Sequence, residues 1–231
     1  NVLYITAELS EEEVGRRIDA NMMTTNVNDL KKMDQAVYQK RIKRIKDKTL
    51  GKLIIKEYPT TTANAAHIRH LLNELRLKKG FVPDIIFIDG VYLLRPTDTP
   101  RNATHTDRVR LVFDEIRAMN LDMGIPYVVS TQFSRAAGKK GKEGTLETIG
   151  YSDAIGTHSS QVVAIKDGPT EDPAHSRLFD FLKGREGEHG TVSINFRFAP
   201  LNMDEMTQEE LENEGEVTEA SVEWMGVRRT Q

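Results

Sequence analysis

The chain of 231 residues contains no cysteine, which excludes disulfides and cysteine-ligated metal sites and fits a reducing cytoplasm. It has one tryptophan, and aromatic residues make up 6% of it. No apolar run is long enough to cross a bilayer, so a membrane role is not expected. The opening apolar stretch, Val2-Leu3-Tyr4-Ile5, is too short for the h-region of a signal peptide. An excess of positive charge is missing too: the net charge is −3, so total charge does not announce a nucleic-acid binder, and only its uneven distribution is informative. What remains, 38% hydrophobic and 29% charged residues, suits one α/β domain with a sizeable core.

The apolar pattern alternates between strand and helix. Val2–Thr6 reads as a strand. Ser10 with Glu13 three residues on forms a capping box, predicting a helix to about Asn21. Asn28–Lys48 reads as a second helix, basic near its end, and Lys52–Glu57 as a strand. Ile68, Leu71, Leu72 and Leu75 have helical spacing within Ala63–Lys79, which Gly80 stops. Asp84–Asp89 and Tyr127–Ser130 read as buried strands on either side of a helix over Asp107–Met123. Such alternation predicts βαβ units and a mostly parallel sheet flanked by helices. The strands Gln161–Lys166, Arg177–Lys183 and Gly190–Phe198 follow one another without helices, predicting antiparallel strands at the C-terminal edge. From Met203 to Glu223 nine residues are acidic and none is basic. Residues 1–202 are therefore read as the core and 203–231 as an acidic tail, mobile or weakly helical and either solvated or partner-binding.

Four short features carry chemistry. Asp84-Ile-Ile-Phe-Ile-Asp89 ends a buried strand in an acid, as a Walker B element does, and Asp89 there can hold a magnesium ion that bridges nucleotide phosphates. The same string also suits an Asp that only caps the next turn. Glu8 follows the first strand; beside Asp89 it could orient or deprotonate water, or it could simply favour the next helix's N-terminal dipole. Gln132 ends another buried strand, where it could sense a γ-phosphate or be a plain polar strand end. Lys183 and Arg185 sit in a tight turn between strands, able to reach a neighbouring subunit's nucleotide or to face solvent as hairpin charges. The glycine-rich loop carrying Arg135, Lys139, Lys140 and Lys142 suits a phosphate backbone without sequence readout. The string G-x-x-x-x-G-K-[ST] that cradles phosphates does not occur, so these residues alone should bind nucleotide poorly.

The order Glu8, Asp89, Gln132, Lys183-x-Arg185 resembles the DnaB-like family of replicative helicases, nearest its T-even phage branch. NVLYITAELS, RRIDANM (Arg16–Met22), YPT (Tyr58–Thr60) and LLNELRLKKGFVP (Leu71–Pro83) carry the likeness over the first 90 residues; beyond Val91 it rests on spacing. The resemblance implies a RecA-like ATPase core, ATP and Mg as cofactors, a homo-hexameric ring around single-stranded DNA, and a primase and loader as partners, in the host cytoplasm if phage-encoded. It makes Glu8 the catalytic glutamate, Asp89 the Walker B aspartate, Gln132 the sensor, and Lys183 and Arg185 cations supplied in trans. It further implies that the phosphate-binding loop and an N-terminal collar domain lie upstream of Asn1. Two departures stand out. Gly90 occupies a position where many relatives carry a bulky aromatic, and Gly150–Ser160 does not reproduce the usual DNA-contacting residues. The expected activity is ATP-dependent unwinding of duplex DNA. The rival readings are a filament-forming RecA-type recombinase and a degenerate ATPase-like scaffold or loader.

Overall fold

A computed structural model describes residues 1–132, 153–168, 175–187, 189–198, 200–207 and 209–210. Its first half is built on four parallel strands, β1 (Val2–Thr6), β2 (Leu53–Glu57), β3 (Ile85–Asp89) and β4 (Tyr127–Val129), in the order β2-β1-β3-β4. Parallel neighbours need crossover connections, and helices supply them. α1 (Glu11–Met22) and α3 (Gln35–Lys48) lie between β1 and β2, α4 (Ala65–Lys79) between β2 and β3, and α5 (His105–Met123) between β3 and β4. The helices begin and end where local chemistry dictates. Ser10 caps α1 by accepting the Glu13 N–H at 3.2 Å, Asn64 caps α4, and Thr104 with Asp107 forms a capping box on α5. Gly80 and Gly124 close α4 and α5 in the left-handed conformation.

The two faces of this sheet are unequally covered. Leu3, Ile5, Ile86 and Ile88 share one face, at most 1% exposed, packed with Ile68, Leu71, Leu72 and Leu75 of α4 and Val109, Val112, Phe113, Ile116 and Met119 of α5. Tyr4 and Phe87 lie on the other face, their rings 6.1 Å apart and stacked, and Gly15 of α1 comes close to Ile55 there. Asp89 shares this thinner face with Tyr4, so its carboxylate is half-buried rather than sealed in the core.

The segment 28–48 is not one helix. A short α2 (Val27–Leu30) precedes α3, and Asp34 interrupts them because its carboxylate accepts the Ala36 and Val37 N–H groups at 2.9 and 3.2 Å. α3 rests on α1 through Tyr38, whose O–H donates to Asp19 at 2.6 Å. The C-terminal strands, β5 (Val162–Asp167), β6 (Ser176–Lys183), β7 (Gly190–Phe198) and β8 (Leu201–Glu205), are antiparallel, as expected, and form a sheet of their own in sequence order. β8 corrects the reading of the acidic segment from Met203: its first residues pair with β7, Met203 opposite Phe196 and Asp204 opposite Asn195. Leu201 and Met203 alternate with Asn202 and Asp204, and β7 offers them a free edge. A short helix, α6 (Asp153–His158), leads into β5 and buries Ile155 in the main core, against which Val162 and Leu182 also pack.

Candidate functional site

In the order β2-β1-β3-β4 the chain leaves β1 towards β2 and then crosses back to β3 on the other side. The crevice beyond the carboxyl ends of β1 and β3 is therefore the topological switch point, where open α/β sheets take their ligands. Asp89 is the last residue of β3, in register with Thr6, the last of β1. The Ala7 N–H donates to the Asp89 carbonyl at 3.0 Å, carrying the ladder one step past β1. Thr6 is fully buried, and its hydroxyl oxygen accepts the Leu9 N–H at 3.0 Å and the Glu8 N–H at 3.4 Å. This turn bends the chain over the end of β3 and leaves Glu8 exposed above Gly90.

Both oxygens of Asp89 are occupied by hydroxyl donors. The Tyr4 O–H donates to Oδ2 at 3.0 Å and the Ser130 O–H to Oδ1 at 2.7 Å. Ser130 Oγ in turn accepts the Gly90 N–H at 2.8 Å, tying the end of β4 to the turn after β3. Burial, followed by the nearby Asp89 carboxylate, pushes the Tyr4 phenol up to about 12, so it remains a donor across the neutral range. Glu8 is held through its carboxylate: the Tyr92 O–H donates to Oε1. Gly90 has φ +81°, and a Cβ there would stand 3.1 Å from Glu8 Cγ and from Leu93 Cδ1. The glycine is therefore required by the close approach of Glu8 and by a backbone conformation that side chains resist. The ring that reaches Glu8 comes from two residues further on, Tyr92 in the 3-10 turn Val91–Leu93.

The expected residues thus fall into three groups. Glu8, Asp89 and Gln132 gather at the carboxyl edge of the parallel sheet, Gln132 exposed two residues past Ser130. Between Ser130 and Gln132 the Thr131 hydroxyl is buried and finds no hydrogen-bond partner among the described residues. Lys183 and Arg185 are at the β6–β7 turn: Lys183 is half-buried with its Nζ donating to the Gly156 carbonyl of α6, and Arg185 is exposed. Arg135, Lys139, Lys140 and Lys142 lie outside the described residues. Sequence reasoning passed over Tyr4, Ser130 and Tyr92. Tyr4 interrupts the aliphatic run Val2–Ile5, the one local signal of its role.

The donor set fits magnesium. Asp89 and Glu8 with the Ser130 hydroxyl are all hard oxygen ligands, and Mg²⁺ is ordinarily held by one or two carboxylates together with substrate phosphates. Among the described residues no cluster of three or more His, Cys, Asp or Glu side chains forms a closed cage for a metal.

Comparison with known proteins fits this geometry. A model of the DnaB-like helicase C-terminal domain matches residues 1–204. A DnaB-like replicative helicase of Enterobacteria phage T4 is 30% identical over 192 residues, covering 81% of this chain and 40% of that protein. The chain therefore spans about two-fifths of that relative's length. Among solved structures, an ATPase domain superposes with a TM-score of 0.72 at 17% identity, over 89% of this chain and 74% of that one. A DnaB-like replicative helicase studied with its primase interactions superposes with a TM-score of 0.73 at 18% identity, over 89% and 52% of the two chains. These two likenesses establish a RecA-like fold, and the family match over residues 1–204 goes further: the chain belongs to the DnaB-like helicase C-terminal domain family.

Proposed function

We propose that this chain is the ATPase portion of a replicative DNA helicase that acts as a hexameric ring on single-stranded DNA in the cytoplasm, a phage host's if the gene is viral. The observation that carries the reading is the pair of carboxylates at the switch point: Asp89 fixed by two hydroxyls and Glu8 poised beside Gly90. Bound magnesium would supply charge neutralisation between nucleotide phosphates, held through Asp89 with Ser130 at its side. Glu8 accepts the proton of the water that attacks the γ-phosphorus. Gln132, at the end of β4, senses the γ-phosphate and relays its loss to the segment that follows. Arg185, with Lys183 beside it, reaches from the β6–β7 turn into a neighbouring subunit's nucleotide and stabilises charge in the transition state. Arg135, Lys139, Lys140 and Lys142 grip the DNA backbone without reading sequence. A primase and a loader are the partners expected of such a ring.

The test is ATP hydrolysis by the full-length protein, with and without single-stranded DNA, over a range of protein concentrations. Shared sites predict activity that rises with DNA and more steeply than linearly with protein. Monomers that hydrolyse ATP as fast per subunit as rings do would end the ring reading.

A further inference from the structure

Glu8 and Asp89 differ in what holds them. Asp89 ends a hydrogen-bonded strand and accepts from two hydroxyls. Glu8 is exposed, stands beyond the end of β1, and has below it a glycine without a side chain. An unrestrained glutamate in solvent spreads over many rotamers, and a group that must accept a proton from one water needs a single orientation. Among the described residues, the side chain that hydrogen-bonds the Glu8 carboxylate is Tyr92, which donates to Oε1. The left-handed turn at Gly90 brings the 3-10 turn Val91–Leu93 up against Glu8, with Leu93 Cδ1 as close to the Gly90 Cβ position as Glu8 Cγ is. Tyr92 itself packs partly against the main core, so its phenol is a fixed point rather than a second loose side chain.

We propose that Tyr92 is the positioning residue for Glu8: by holding Oε1 it orients Oε2 towards the water. This rests on the reading of Glu8 as the proton acceptor in ATP hydrolysis. Tyr92 acts through Glu8 and does not touch the nucleotide, so its loss lowers turnover and leaves nucleotide affinity alone. Geometry of this kind is worth up to about a hundredfold when a reacting group is displaced by an ångström.

The experiment is a double-mutant cycle in the full-length protein, Tyr92→Phe, Glu8→Gln and both together, read by DNA-stimulated ATP hydrolysis. Binding of a fluorescent ADP and ring assembly by light scattering confirm that each variant is folded. Tyr92→Phe is expected to lower kcat about tenfold with the KM for ATP within twofold, and to lower it no further in the Glu8→Gln background. An unchanged kcat in Tyr92→Phe overturns the proposal. So does a raised KM with kcat intact, or the same fold-loss in both backgrounds, which would mark a structural role. If Tyr92→Phe assembles poorly, Tyr92→His, which keeps a ring and an N–H donor, is compared with Tyr92→Leu, which keeps neither. The histidine variant must then retain more of kcat than the leucine variant in the wild-type background and not in Glu8→Gln, or the proposal fails. Retention of hydrolysis by Glu8→Gln alone would instead remove the assignment of Glu8, a failure distinct from that of Tyr92.

Discussion

The end of β1 and the end of β3 each present one carboxylate to the same crevice, and the fold treats them differently. Asp89 belongs to the sheet: it is in register with Thr6, half-buried, with an O–H on each oxygen from β1 and from the end of β4. Glu8 belongs to the turn: it is exposed, and its backbone is set by the buried hydroxyl of Thr6 and its carboxylate by Tyr92. A group that holds a metal gains from rigidity, and rigid elements place side chains more accurately than loops do. A group that must take a proton and give it up gains from a position at the edge of solvent. On the function proposed above, the difference between strand and turn divides the labour between metal binding and proton transfer.

The largest effects should separate those two tasks. Glu8→Gln is expected to lower kcat for ATP hydrolysis by about a hundredfold or more while leaving binding of a fluorescent nucleotide nearly intact. Asp89→Asn should weaken Mg-dependent nucleotide binding itself, raising KM as well as lowering kcat. Steady-state kinetics with a magnesium titration distinguishes them. Two variants with the same kinetic signature would break the comparison.

Next in size is an effect on stability. Ser130 donates to Asp89 and accepts the N–H of Gly90, which is buried. Ser130→Ala leaves that N–H without its acceptor, so unfolding in urea should show a loss of about 1–3 kcal/mol. Thr6→Val belongs to the same class on the β1 side: it removes the hydroxyl that anchors the Leu9 and Glu8 N–H groups. Its loss should be smaller, because Leu9 is partly exposed and water can replace the bond. Equal losses from the two would mean that the β1 turn is as firmly built as the β3 end.

Much of this was legible in the sequence, and for a reason. Parallel buried strands and the helices between them write themselves as long apolar patterns, so β1, β3, α4 and α5 were visible, and with them the carboxylates at strand ends. The break before α3 was hidden because Lys31 and Lys32 continue a helical-looking run, while Asp34 signals its cap by one residue type alone. β8 was hidden because the acidic composition after Met203 outweighed a four-residue alternation. The hydroxyl partners of the site were hidden for a deeper reason. Tyr4 and Asp89 are 85 positions apart and Ser130 and Asp89 are 41 apart, so the pairs exist only once strand order is known. No local pattern encodes that order.

The smallest expected effect concerns Tyr4 and is best seen through pH. Its phenol is held at about 12 by burial and by the Asp89 carboxylate, against about 10 in an unfolded chain. A raised folded-state value means that the folded protein keeps the proton more tightly. The resulting stabilisation is fully present below pH 10 and is lost as pH rises from 10 through 12. Tyr38, through its bond to Asp19, and Tyr127, through burial, are also raised to about 12 and add to the same alkaline loss. Tyr4→Phe should therefore cost about 1 kcal/mol near neutrality, the value of one hydrogen bond. It should also lose less stability than the parent chain between pH 10 and 12, because one of the late-titrating phenols, among which burial also raises Tyr58, is gone. Urea unfolding of both chains across that range measures this directly. Parallel curves would mean that Asp89 does not feel Tyr4, and that the strand-end carboxylate is held by Ser130 alone.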